Sequence, residues 1–464
     1  MVQIKEMTLT SFLEDAKKLA RNKGKAQLVS WTKKIEPLSL VQAFDSLESF
    51  NMNRLFWSNS EQTFMLLGFG TAKEIVVTEN RFKQLEEEWI QLVSQAVVYN
   101  PYDDQGTGLT VLGGMSFDPL RKRSELWRNY PTSQLTVPEY LIVYENDQYY
   151  FTINRYVDKQ TDIEAIVEEI NDIKRTVRDE RKTERNVEQK IVYQMEKSPE
   201  QWMKSVRKAV DTINNKEAEK IVLARELRIK LNNRVNVGLL IEKLMNTQRQ
   251  SYIFAYEQGK DCFVGASPER LVQLKGESML STCLAGTAPR GKDEVEDEKI
   301  ANDLLNDTKN REEHDHVVKM IRSSIEPFCY NINIPNEPVI LTLRNLQHLY
   351  TPVTATLKNG VTVFNLIEVL HPTPALGGVP RDKALQFIRE EEQFDRGWYG
   401  APIGWLDYKG NSEFAVAIRS GLVQSNEVSL FAGCGVMGDS DPETEYEETA
   451  VKFLPMLTIL EDSE

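Results

Sequence analysis

The sequence predicts an α+β protein in which antiparallel sheets are layered with helices. Apolar, strand-like runs recur in hairpin order, at 139–156 about Glu145-Asn146-Asp147 and at 399–407, 413–423 and 427–433. Helical periodicity comes in separate blocks, so the regular alternation of a parallel βαβ chain is missing. No short repeat or low-complexity tract breaks this pattern.

In order, residues 9–23 have amphipathic helical spacing, and Gln27 to Trp31 read as a strand. Arg54 to Trp57, Phe64 to Gly70 and Glu74 to Thr78 are short strands separated by polar and glycine breaks. A helix over 80–98 places Phe82, Leu85, Trp89, Leu92 and Val93 on one stripe, and Thr110 to Phe117 returns to a strand. Ile163, Ile166, Val167, Ile170, Ile173 and Val177 keep the 3.6 period, which predicts a helix over 161–178. The charge run from Arg178 to Asn186 reads as its solvated extension and marks an internal boundary. We divide the chain there into an N-terminal α+β portion, 1–195, and a catalytic portion, 196–460, within one compact unit.

The second portion restarts at Ser198-Pro199-Glu200-Gln201, which has the form of a capping box with proline at N1. Strands at 220–231, 252–256, 263–265, 271–274 and 278–284 precede two helices at 293–307 and 309–327. Strands flank 345–348, a helix covers 363–370, and the terminal hairpins follow.

The 464 residues are 41% hydrophobic and 27% charged, enough for a substantial core. A net charge of -14 argues against general binding to nucleic acid or anionic membranes, so any anionic substrate needs local cations. The four cysteines are far apart with no CxxC pair, as in a reduced cytosolic protein. Met1-Val-Gln-Ile-Lys-Glu has no apolar leader core and no run of about 18 apolar residues occurs. The expectation is a soluble, cytoplasmic protein.

Chemistry concentrates near the C-terminus. The apolar run Val428 to Ala432 empties into Gly433, Gly435 and Gly438, and Asp441-Pro442 then caps a helix. Glycine turn and helix start together make an anion cradle, yet Glu443, Glu445, Glu447 and Glu448 crowd the same turns. A cation between the anion and the carboxylates resolves that conflict. Gly433 to Gly438 also matches G-x-G-x-x-G, but no parallel strand with an acidic end follows, which disfavours a dinucleotide. Glu445, Glu448 and Lys452 share a helical face beside an apolar stripe of Tyr446, Ala450, Phe453, Leu457 and Leu460. Glu313, at the edge of the stripe His314, Val317, Val318, Ile321 and Ile325, can meet Glu448 across a cleft. Oxygen donors of this kind suit Mg²⁺ better than zinc. The plain alternative for Glu312-Glu-His314 is an exposed helical turn.

Lys220 opens its strand and shares a face with Val222, Ala224 and Glu226. A solvated strand end is the ordinary reading. If that face is buried, desolvation would make Lys220 a usable general base. Glu269, in the turn Ser267-Pro268-Glu269-Arg270, can project into the same cleft. An acid and a base on separate elements, with a metal, suit elimination or substitution at an activated hydroxyl.

These residues carry a resemblance. Lys220-Ile-Val-Leu-Ala-Arg225, Gly265-Ala-Ser-Pro-Glu-Arg-Leu271, Leu284-Ala-Gly-Thr287, Glu312-Glu-His314, Ala415-Val-Ala-Ile-Arg-Ser420 and the glycine stretch stand in the order of the chorismate-utilising enzymes. The match covers about 200–458; Val111 to Pro119 extends it loosely into the first half. The resemblance implies the fold of the anthranilate synthase large subunit: stacked antiparallel β-sheets flanked by helical layers, with the site in a cleft. It further implies Mg²⁺ as cofactor, held by Glu313 and Glu448 with Glu445 nearby. Tyr399 and Arg419 resemble the groups that hold a substrate carboxylate, helped by backbone near Gly433 and Gly435 and by Lys452. Gly286, Thr287 and His348 match pocket positions. Lys220 resembles the base that activates water at C2 of chorismate, and Glu269 the acid that protonates the departing C4 hydroxyl.

Ammonia-using relatives typically carry glutamine in place of Lys220, and another branch lysine in place of Ala285. Lys220 with Ala285 therefore resembles the water-using branch, with no glutamine amidotransferase subunit. The first half and Gly397 to Trp405 look most like menaquinone-pathway isochorismate synthases; salicylate synthases and siderophore-pathway isochorismate synthases share the same site residues. Where Asn310 stands some relatives have an acid, so no third carboxylate is expected from that helix. A degenerate relative that only binds a small anion would be marked by loss of Lys220, Glu269 or a metal glutamate, and all are present.

Overall fold

The computed structural model describes residues 7–178, 188–344 and 346–461; the charge run expected as a helix extension falls almost wholly outside them. Two large sheets are stacked. The larger has 13 strands, running in space through Ile191–Glu196, Lys220–Leu231, Glu427–Val436, Ser420–Gln424, Asp261–Ser267 and Tyr252–Gln258 into Arg54–Ser58 and the strands of the first half. The smaller has 10 and carries Leu346–Leu357, Ser278–Pro289, Arg270–Lys275, Ser412–Val416, Pro402–Asp407 and Thr110–Met115. Every pairing is antiparallel among the described residues except Gln27–Ile35 with Val97–Tyr99. Strands from both sides of residue 195 share each sheet: Tyr252–Gln258 pairs with Arg54–Ser58, and Pro402–Asp407 with Thr110–Met115.

Strand alternation explains the layering. In Arg54–Ser58, Leu55 and Trp57 join the core between the sheets, whereas Phe56 joins a second core on the opposite face. That second core packs under helices Leu9–Lys23, Ile163–Val177, Val237–Thr247 and Pro442–Leu460. Helices Arg81–Gln95, Thr308–Ile325 and Val363–Leu370 bury residues in the first core. The expected stacked sheets with helical layers are thus observed.

Some elements escape the sequence pattern. Leu40–Ser46 is seven residues, too short to display a period, although Ser39 caps it by accepting from the Gln42 amide at 3.3 Å. Val237–Thr247 is apolar on several sides, and Arg381–Glu391 buries only Ala384, Phe387 and Ile388. Ser133–Val137 was likewise not anticipated. Ser198 does precede a helix, Pro199–Asn214, but sits at φ 51° and makes no side-chain cap, so the expected capping box is not formed. In the last helix the buried set is Pro442, Glu445, Thr449, Phe453, Pro455, Met456, Ile459 and Leu460; Ala450 is exposed and the apolar stripe is rotated from the expected one.

Candidate active site

Two strands change sheets at the same place. Asp261–Ser267 lies in the larger sheet, and after Pro268 and Glu269 the chain resumes in the smaller one as Arg270–Lys275. The run expected as one strand over 413–423 is likewise two, Ser412–Val416 in the smaller sheet and Ser420–Gln424 in the larger. The break falls at Arg419, whose left-handed φ of 50° turns the chain. The crossings brace each other: the Val416 amide donates to Glu269 O and the Ala266 amide to Arg419 O, both at 3.0 Å. Where the sheets part, a cavity of about 180 Å³ opens, with Glu269 and Arg419 in its wall.

That cavity gathers nearly all the residues singled out from sequence. Lys220, Tyr399 and Lys452 line it, as do Gly286, Thr287 and His348, Gly433 and Gly435, and the carboxylates Glu313 and Glu448. Glu445 does not line it. It is 9% exposed on the core side of its helix, where Oε1 accepts from Ser440 Oγ at 2.7 Å and Oε2 is buried with no partner. Burial raises its pKa, with Glu448 adding to the rise.

Of the glycine stretch only Gly438 lies in a turn, closed by the Ser440 amide donating to Met437 O; Gly433 and Gly435 do not. The strand runs on to Val436, pairing Gly433 with Ala224 and Gly435 with Val222. The Val222 amide donates instead to Gly377 O and the Ala224 amide to Glu392 Oε1, so these are the pairs that exchange no hydrogen bonds. The amides of Gly433 and Gly435 therefore face the cavity, along an edge that Ser420–Gln424 leaves uncovered beyond Leu430. In place of the expected turn, a strand edge presents these amides. Lys452 Nζ donates to Gly433 O at 3.0 Å and also pairs with Glu448, which brings a cation to the same edge.

Gly435 has a second role. A Cβ there would lie 2.6 Å from Lys220 Cε, so its missing side chain is the slot for the lysine stem. Lys220 is 6% exposed, and its Nζ donates to Glu313 Oε1 at 2.5 Å. Burial would raise the Glu313 pKa, but Lys220, with help from Lys452 and Lys309, holds it below the usual range. Glu269 is 6% exposed with no ion pair among the described residues. Burial pushes its pKa up to about 7 despite the opposing pull of Arg419 and Lys220. Near neutral pH it is an acid with a proton to give.

The remaining polar walls are held ready. His348 is 5% exposed and shares a 3.0 Å hydrogen bond between Nδ1 and Thr287 Oγ1, while Nε2 has no partner. Burial first, then Arg419 and Lys452, lowers its pKa to about 3, so the imidazole is neutral. Tyr399 stacks on Phe431 at 5.3 Å, and burial keeps its phenol protonated with a pKa pushed up to about 12. Burial likewise lowers the Arg419 pKa, and this guanidinium has no carboxylate within 4 Å among the described residues.

No group of three or more His, Cys, Asp or Glu side chains able to hold a metal occurs among the described residues. Cations already partner the two cavity carboxylates, Lys220 on Glu313 and Lys452 on Glu448. The donor set still fits a hard divalent ion. Glu313 and Glu448 offer oxygen to one cavity, and the orphaned Glu445 Oε2 lies behind as an unmet acceptor.

Arg396 and Glu392 were not anticipated. They form an ion pair with side chains 4% and 3% exposed, and Arg396 also donates to Val222 O at 2.8 Å and Leu376 O at 3.0 Å. With Glu392 accepting from the Ala224 amide, the pair fixes the strand that carries Lys220. The i, i+4 charge spacing was visible, but nothing in it signals burial. Asn310 also lines the cavity, with Nδ2 donating to Asp307 at 2.7 Å.

Comparisons with known proteins bear on the family and the fold. The family described as chorismate binding enzyme matches residues 11–461. The chain is 38% identical over 454 residues to an isochorismate synthase of Bacillus subtilis, covering 95% of each. It is 35% identical over 434 residues to a salicylate biosynthesis isochorismate synthase of Pseudomonas aeruginosa, covering 92% of this chain and 89% of that one. The solved structure of the menaquinone-specific isochorismate synthase from Escherichia coli shares the fold, with a TM-score of 0.79 and 23% identity over 98% of this chain and 100% of that one. No helix among the described residues is long and apolar enough to cross a membrane.

Proposed function

The chain belongs to the family of chorismate-binding enzymes, and from that premise we propose that it converts chorismate to isochorismate for menaquinone biosynthesis, in the cytoplasm and without an amidotransferase subunit. The observation that carries the reading is the pairing of a buried lysine with a carboxylic acid of pKa about 7 in one cavity. Near-full-length similarity to named isochorismate synthases supports it.

Isochorismate arises when water adds at C2 and the C4 hydroxyl departs with its bonding electrons. Lys220 takes the proton from the attacking water. Glu269 gives its proton to the leaving oxygen, so a second water departs and the ring charge is unchanged. Arg419, Tyr399 and the amides of Gly433 and Gly435 receive substrate carboxylate, supplying the positive partners that an acidic protein needs. Neutral His348 offers Nε2 to a ring substituent without adding charge. At Ala285 the wall presents a methyl, so no amine at that position competes with water. Glu313 and Glu448 would hold Mg²⁺, which when bound supplies positive charge beside a substrate carboxylate.

Incubation with chorismate and Mg²⁺, followed by product separation, tests the reading. Isochorismate alone is expected. Salicylate with pyruvate would make the chain a salicylate synthase, and no turnover would refute both.

A further inference from the structure

One polar group in the wall of the cleft is held ready without a partner. Asn310 lines the cavity from the first turn of helix Thr308–Ile325, and its amide is fixed in one orientation. Asp307, the N-cap, accepts through Oδ1 from the Asn310 backbone amide at 2.8 Å and from Asn310 Nδ2 at 2.7 Å. Those two bonds, the backbone one foremost, hold the Asp307 carboxyl below its usual range. An ionised carboxylate only accepts, so the NH2 end of the amide must face Asp307 and Oδ1 must face away. Oδ1 turns toward Gly286, where an added Cβ would lie 3.3 Å from it and the φ of 79° favours glycine. No donor reaches this oxygen among the described residues. An amide oxygen in that state suits a hydroxyl or a water and turns away a carboxylate.

Its neighbours narrow the choice to a water. Glu313 stands three residues on and lines the same cavity, a spacing that puts Cβ atoms about 5–6 Å apart on one helical face. Glu313 Oε1 in turn accepts from Lys220 Nζ at 2.5 Å. Asn310 is thus on the Lys220 side of the cleft. A water attacking there has two hydrogens, and Lys220 takes only one.

On the chorismate reading, we propose that Asn310 positions the attacking water, its Oδ1 receiving the hydrogen that Lys220 does not take. As the C2–O bond forms, one proton passes to Lys220 and the other stays on the oxygen. The C4–O bond breaks with its electrons, and the departing oxygen takes the proton of Glu269. The retained hydrogen becomes that of the new C2 hydroxyl. Isochorismate therefore donates to Asn310, whereas chorismate, with no hydroxyl at C2, does not.

That difference supplies the test. Asn310 is half-buried on a first helical turn, where alanine is readily accommodated. In Asn310→Ala, kcat should fall about 10- to 100-fold from loss of orientation, while KM for chorismate stays within about twofold. The inhibition constant for added isochorismate should rise about 3- to 10-fold, the worth of one neutral hydrogen bond. Asp307→Ala, which frees the amide to turn, should give the same split in milder form. An isochorismate constant that moves no more than the chorismate KM would overturn the proposal, as would an unchanged kcat. An effect confined to the Mg²⁺ concentration needed for half-maximal rate would also overturn it, by placing Asn310 against the metal's water instead. None of these results touches the isochorismate reading itself, which is decided by the product that the wild type makes.

Discussion

Replacing Glu269 with glutamine should stabilise the protein while disabling it, and the gain should depend on pH. The folded chain holds the Glu269 carboxyl at about 7 against an ordinary 4.5. Well below pH 4.5 both folded and unfolded states are protonated, and the group has no effect. As pH rises through 4.5 the unfolded state loses its proton first, so wild-type stability falls until about pH 7 and is then level. The interval corresponds to about 3 kcal/mol, at about 1.36 kcal/mol per unit. Glutamine has no proton to lose. The Glu269→Gln variant should therefore match wild type within a few tenths of a kcal/mol at about pH 4 and exceed it by about 3 kcal/mol at about pH 8. Urea unfolding of both proteins at several pH values measures the difference, and every other titrating group cancels. Turnover should drop by about 10²–10⁴, the usual worth of a general acid. A stability difference that does not change with pH would refute the buried, proton-holding Glu269 on which the acid role rests.

Lys220→Ala should lower kcat by about 10²–10⁴ with circular dichroism unchanged; near-normal kcat would remove Lys220 from the base role. Gly435→Ala puts a methyl where Lys220 Cε now lies; the lysine can swing aside, so Tm should hold while kcat falls about 10- to 100-fold from misplacement. A chelator should abolish turnover and Mg²⁺ restore it, and Glu448→Gln should raise the Mg²⁺ concentration needed for half-maximal rate by about tenfold or more. An unchanged Mg²⁺ requirement would remove Glu448 from the metal role.

Much of this candidate site was legible because the residues lining its cavity stand in short ordered motifs, and those motifs singled out Lys220, Glu269, Glu313 and Arg419 before any geometry. What sequence concealed is how they are held. Arg419 was read inside one strand because the residues on both sides are apolar and β-forming; only the positive φ at that position reveals a change of sheet. Gly433 and Gly435 were read as a turn because glycine usually signals one, whereas here a strand edge and a lysine stem require the space. Glu392 and Arg396 look like any surface helix pair until burial is known. Glu445 shares a face with Glu448 in helical projection, but the helix is rotated so that one faces the core and the other the cavity.

The two adjoining sheet crossings give the acid side of the site an unusual dependence. Glu269 and Arg419 hang on no free loop, and each is tied by backbone hydrogen bonds to the other's crossing. Local opening cannot release one without parting strands in both sheets, so amides at the crossings should exchange only through global unfolding. Glu448 and Lys452, by contrast, ride on Pro442–Leu460, a single helix packed on Glu427–Val436 of the larger sheet, so its release does not require strands to part in both sheets. On heating, affinity for the metal should decay before the proton donor is disturbed, and activity lost in that early phase should return on cooling.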